Sequence, residues 1–117
     1  MIDYGGVRTF PRKEESMKNK RITVPALVKA KEGMEKTVRQ ELLSLVKPTR
    51  PEPACINYDL HQATDEKSQF MLFEIWRTME DLEKHRETAH LKAFRQKAGS
   101  LLAKPIEVTL FEMISEA

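Results

Sequence analysis

The stretch Phe70-Met-Leu-Phe-Glu-Ile-Trp76 runs directly into Arg77-Thr-Met-Glu-Asp-Leu-Glu-Lys-His85-Arg-Glu-Thr-Ala-His90. An apolar run of this length, broken only by Glu74, is too short for a buried helix and reads as a strand covered on both faces. Thr78, with Asp81 three residues on, has the form of a capping box, so a helix starts at once. Leu82 and His85 lie three apart and share the helix face that must turn toward the sheet. A tryptophan at the strand end and an imidazole on the helix are thereby aimed at one place. An aromatic molecule could sit there beside a proton-transfer group.

Working outward, Lys20 to Lys31 reads as a first strand. Ile22, Val24, Ala26 and Val28 share one parity, and Thr23 and Leu27 fall on the other. Pro25 interrupts it and predicts a bulge or an unpaired donor position. A helix opens after Gly33, with Met34, Val38, Leu42 and Leu45 forming its apolar stripe, and Pro48 is expected to stop it. The turn Pro48-Thr-Arg-Pro-Glu-Pro53 is stiff. A second strand spans Cys55 to Ala63, a polar hairpin loop Thr64 to Ser68, and the third strand Gln69 to Arg77. The following helix is expected to break near Glu87-Thr88, to resume through Leu91 and Phe94, and to stop at Gly99. Ile106 to Ile114 completes the pattern as a fourth strand. The order β-α-β-β-α-β predicts an α+β, ferredoxin-like fold: an antiparallel four-stranded sheet with its helices on one face.

That arrangement leaves the other sheet face bare, and it is not polar. In the third strand Phe70, Leu72, Glu74 and Trp76 share one face and Met71, Phe73 and Ile75 the other; in the fourth, Ile106, Val108, Leu110 and Ile114 oppose Phe111 and Met113, so both faces are apolar. Such a face presents on the order of 500 Å² of apolar surface, enough to mark an interaction site. A homodimer packed sheet to sheet is the expectation.

At 117 residues the chain is sized for one domain. Residues 1–19 lack periodicity and read as a flexible arm, with a single domain over 20–117. Twenty Lys+Arg against 18 Asp+Glu leave a formal charge of +2 without a basic block, which argues against nucleic-acid binding. No apolar run is long enough to span a membrane and no signal-peptide core follows the start, so a cytoplasmic location is expected. A lone cysteine, Cys55, forms no internal disulfide and reads as a small buried hydrophobe.

The runs Ile22-Thr-Val-Pro-Ala-Leu-Val-Lys-Ala-Lys-Glu-Gly33, Pro48-Thr-Arg-Pro-Glu-Pro-Ala-Cys-Ile-Asn-Tyr-Asp-Leu-His61, Phe73-Glu-Ile-Trp76 and His85 through Phe94 together resemble the antibiotic biosynthesis monooxygenase domain. Within it they look closest to the small quinol monooxygenase-like proteins. The resemblance covers residues 20–115. It implies a dimeric α+β barrel with a pocket between sheet and helices in each subunit. It also implies oxidation of hydroquinones or phenols by dioxygen with no flavin, metal or haem. Two departures stand out. Leu72 occupies the place of an asparagine in polyketide-oxidising members. His85 and Arg95 stand where haem-degrading relatives carry a tryptophan and a haem-ligating histidine, which argues against haem. A branch that isomerises a phosphorylated sugar derivative also carries histidines between His85 and His90.

Among candidate residues, His85 is the expected base, since imidazole titrates near neutral pH. Glu74, an acid within an apolar strand, is expected to pair with His85 or an arginine and orient the base. Trp76, Tyr58 and Phe70 offer faces for a flat ring, Leu82 and Phe94 line the helix side, and His90 points into the pocket mouth. His61 reads as exposed. The histidine spacing shows no metal-site signature, so no metal and no cofactor is expected. The reading that follows is a cofactor-independent monooxygenase or quinol oxidase acting on a small electron-rich aromatic with dioxygen. Its alternatives are a non-enzymatic ligand-binding or stress-response module and a sugar-phosphate isomerase.

Overall fold

The computed structural model describes residues 20–115. The expected N-terminal arm lies outside them. The elements are β1 (Ile22–Lys29), α1 (Glu35–Thr49), β2 (Cys55–Gln62), β3 (Gln69–Trp76), α2 (Met79–Arg86), α3 (Ala89–Leu101) and β4 (Glu107–Val108). The strands form one antiparallel sheet in the order β2-β3-β1-β4, the ferredoxin-like arrangement.

The helices cover one sheet face, as the alternation requires. Ile22, Val24, Ala26 and Val28 of β1 and Phe70, Leu72 and Trp76 of β3 join a single core with Val38, Leu42 and Leu45 of α1, Leu82 of α2, and Leu91 and Phe94 of α3. The register pairs Ile22 with Trp76 and Val28 with Phe70, so both central strands present their buried residues to the same side. Thr78 caps α2: its hydroxyl accepts from the Asp81 amide at 3.2 Å. α2 ends at Arg86, Thr88 is extended (φ −69°, ψ 155°), and α3 starts at Ala89, so the helix breaks at the expected place.

Three boundaries differ from expectation, each for a local reason. β4 is recognisable only at Glu107–Val108, although Thr23 and Phe111 exchange both backbone hydrogen bonds farther along the same register. Bonded pairs alternate along an antiparallel ladder. Pro25, two residues beyond Thr23, therefore occupies the next position whose N–H would reach β4, and it has none. The proline that looked awkward is thus tolerated, because its missing donor faces the edge strand. α1 does not stop before Pro48 but runs through it to Thr49, with the Arg50 amide still bonding to the Val46 carbonyl at 3.0 Å. A proline in the last turn loses a single intrahelical bond. Gly99 is not a stop either: α3 continues to Leu101, and the Leu102 amide bonds to the Ala98 carbonyl at 2.8 Å. Gly33 is where a glycine is required, at φ +86° in the turn before α1.

Candidate functional site

The site forms where the end of β3, the α2–α3 break and the proline-rich turn after α1 meet. Trp76 closes β3 and is buried. His85, in the last turn of α2, is 0% exposed, and its ring lies 4.4 Å from that of Trp76, centre to centre. Tyr58, buried on β2 and paired with Glu74, meets the same imidazole edge-on at 5.4 Å.

The partner of His85 comes from the turn. Nδ1 of His85 lies 3.1 Å from Oε2 and 3.3 Å from Oε1 of Glu52. Nε2 of His90 lies 3.0 Å from the same Oε2 and 3.0 Å from the Thr49 hydroxyl. His85 and His90 are five residues apart. On an unbroken helix they would diverge by about 140°, but the break at Thr88 swings them together, and their rings stand 6.1 Å apart. Thr88 also ties the break down: its hydroxyl donates to the His85 carbonyl at 2.8 Å. The extension of α1 through Pro48 is what carries Thr49 into the cluster, where it is fully buried.

Glu74 plays a different part from the one expected. It is buried, and its carboxyl accepts from the Trp76 indole N–H at 2.9 Å. The carboxyl group at hydrogen-bonding distance from His85 is Glu52, so Glu74 fixes the indole and Glu52 fixes the imidazole. Burial drives the electrostatics throughout. It pushes Glu74 up to about 8, with the indole hydrogen bond acting the other way, and Glu52 up to about 7. It pulls His85 down to about 3, aided by the charges of His90, Arg95 and Arg86, and lowers His90. Tyr58 is held well above its ordinary value by burial and by the nearby Glu74. At neutral pH the His85–Glu52 contact is therefore a hydrogen bond to a neutral imidazole rather than an ion pair.

Nε2 of His85 is buried and has no hydrogen-bond partner among the described residues. The two ring nitrogens of an imidazole point to different sides, so this atom looks away from Glu52. A hollow of about 120 Å³ lies beside the cluster, lined by Glu52, Pro53, Ala54, Trp76, Asp81 and Lys84. That is below the roughly 300 Å³ of ordinary ligand sites.

Leu82 and Phe94 are buried on the helices one turn from His85 and His90. Phe70 is buried too, but it lies six positions along the strand from Trp76, about 20 Å at the usual rise. His61 is exposed on β2 and contacts the Asp59 carbonyl at 3.2 Å. Sequence reasoning missed Thr49 and Glu52. The available signal was an acid held between Pro51 and Pro53, a rigid mount for a charged side chain.

Residues 21–97 match the family model for antibiotic biosynthesis monooxygenase. "Putative monooxygenase Rv0793" of Mycobacterium tuberculosis is 35% identical over 68% of this chain and 78% of its own length. Its solved structure superposes with a TM-score of 0.78 over 83% of this chain and 98% of that one. The crystal structure of PA3566 from Pseudomonas aeruginosa gives a TM-score of 0.79 at 30% identity, over 82% of this chain and 96% of that one. The uncharacterized protein sll1783 of Synechocystis is 33% identical over 64% of this chain, which spans 54% of that relative's length.

Proposed function

The chain belongs to the antibiotic biosynthesis monooxygenase family, and from that premise we propose that it oxidises a small electron-rich aromatic, a hydroquinone or phenol, with dioxygen and without a bound cofactor. His85 is the base. With Nδ1–H donating to Glu52, the lone pair sits on Nε2, the buried atom that lacks a partner. That atom is the observation that carries the reading, because an unmatched buried acceptor is costly unless a substrate hydroxyl fills it. In the closed site burial holds His85 down at about 3 rather than near neutral, so Nε2 takes a phenolic proton only as the Glu52 carboxylate steadies the imidazolium that results; the phenolate is the electron-rich form that reacts with oxygen. Glu74 holds the Trp76 indole in place as the wall beside the imidazole. Tyr58, Leu82, His90 and Phe94 complete the surround, and Phe70 is left to the far end of the core.

The 120 Å³ hollow does not admit a bicyclic ring as it stands. Substrate entry therefore requires α2 or the Pro48–Pro53 turn to move away from the end of β3. His85 is not among the residues lining that hollow, which favours the second reading, a ligand-binding module without turnover. The hollow is lined by two acids and one lysine, a poor balance for a phosphorylated sugar. Oxygen uptake measured over a panel of reduced naphthoquinones and simpler hydroquinones separates the first two readings. Turnover supports the oxidase; saturable binding with no oxygen consumed supports the binding module.

The functional unit we propose is a homodimer joined through the face opposite the helices. Leu27, Phe111 and Met113 are 39%, 51% and 50% exposed there, beside half-buried Met71, Phe73 and Ile75. An apolar face of this extent on a soluble chain is the kind that a second copy covers.

A further inference from the structure

The geometry points to a site for a divalent transition metal ion of the zinc class, held by the Glu52 carboxylate, Nδ1 of His85 and Nε2 of His90. Two imidazole nitrogens and one carboxylate oxygen are the donor set of a zinc site that keeps one position open. Their ligating atoms all lie within 4.8 Å of one another. Two of the edges measure 3.0 and 3.1 Å. Donors about 2.0–2.2 Å from a tetrahedral ion stand roughly 3.3 Å apart, so those edges need to open by only a few tenths of an ångström.

Each ligand is also held by its local surroundings. Glu52 is fixed between two prolines, His85 by the Trp76 ring, and His90 by the start of α3. The Thr49 hydroxyl lies 3.0 Å from His90 Nε2, and it or a water would complete the shell. The ion can enter from solvent, since the Glu52 and His90 side chains are 17% and 22% exposed. Arg95 and Arg86 both oppose positive charge at His85; Arg86 is paired with Glu83 at 3.2 Å, which tempers its repulsion of a dication, and Arg95 donates to the Arg86 carbonyl at 2.9 Å. The set is invisible to spacing rules because the ligands come from a turn and from two helices separated by a break.

Ligation takes the lone pair of His85 Nδ1 and leaves the ring proton on Nε2. An occupied site consequently lacks a base, and the ion would inhibit any chemistry that uses His85. This consequence rests on the proposed role of His85; the binding itself does not.

The test is a titration of the full chain, made without a histidine tag, with Co²⁺. The expected result is the visible absorption of low-coordinate cobalt, saturating at a single ion per chain and bleached by Zn²⁺, with a Zn²⁺-dependent rise in Tm. Glu52→Gln and His90→Ala, both at part-exposed positions, are expected to weaken binding by about tenfold or more, while His61→Ala leaves it unchanged. A titration without the cobalt band, or an affinity that follows His61 and ignores Glu52 and His90, overturns the proposal. The readout is binding alone, so a failure to find oxidase turnover does not bear on it.

Discussion

Glu52 and His85, 33 residues apart in sequence, meet with 3.1 Å between Oε2 and Nδ1, and the same oxygen is 3.0 Å from Nε2 of His90. One carboxyl group from a proline-bounded turn thus organises both histidines of the α2–α3 break. The arrangement divides the imidazole of His85 into a held nitrogen and a free one, which is what a general base needs.

If His85 is that base, His85→Ala should slow hydroquinone-dependent oxygen uptake by roughly 10²-fold or more, and Glu52→Gln by about tenfold. Circular dichroism and Tm must first show that each variant is folded, because His85 is fully buried. A wild-type rate in His85→Ala removes the base from the mechanism. A wild-type rate in Glu52→Gln removes only the orienting role.

Glu74 makes stability depend on pH. Its folded value is about 8 against an ordinary 4.5, so the folded state holds a proton that the unfolded chain releases. Stability from this group is complete below about 4.5 and is lost as pH rises through about 8. Glu74→Gln stays neutral and keeps an acceptor for the indole. Thermal melts from pH 5 to 9 should show wild type losing ground to Glu74→Gln across that window; parallel curves would mean that Glu74 is already ionised in the fold.

Trp76→Phe removes the side chain that, among the described residues, donates to Glu74, and leaves a buried carboxyl oxygen unmatched. A loss of about 1–3 kcal/mol is expected in urea unfolding followed by circular dichroism. Glu74→Leu should cost less in the Trp76→Phe background than alone, since the two residues form one pair. Strict additivity would show that the indole–carboxyl bond contributes nothing.

The bare sheet face makes its own prediction. Phe111→Lys places a charge where the side chain is half exposed, so the monomer should fold normally. Light scattering after size exclusion is expected to give a dimer for the parent chain and a monomer, or a markedly weaker dimer, for the variant. A parent chain that is monomeric at micromolar concentration would exclude the sheet-to-sheet pairing.

How much of this was legible in advance varies element by element. β3 showed itself through the apolar run Phe70–Trp76, α2 through the Thr78–Asp81 cap, and the helix break through Thr88, since each signal lies within a few residues. The length of β4 was not legible from Ile106–Ile114, because its ladder is cut by Pro25, a residue distant in sequence that register alone sets opposite it. Pro48 misled for a related reason: a helix tolerates proline in its last turn when packing holds the next residue, and Thr49 is fully buried.

The sequence by itself determined the scaffold: which segments are strands, which are helices, which faces are apolar, and that His85 turns inward beside Trp76. Periodicity and capping are short-range physics, and a local reading reaches them. Only the tertiary structure decided that Glu52, not Glu74, holds the imidazole, and that His90 and Thr49 share the cluster. A hydrogen bond is made or lost over a few tenths of an ångström, and that distance is set by how a turn, a strand end and a broken helix dock together.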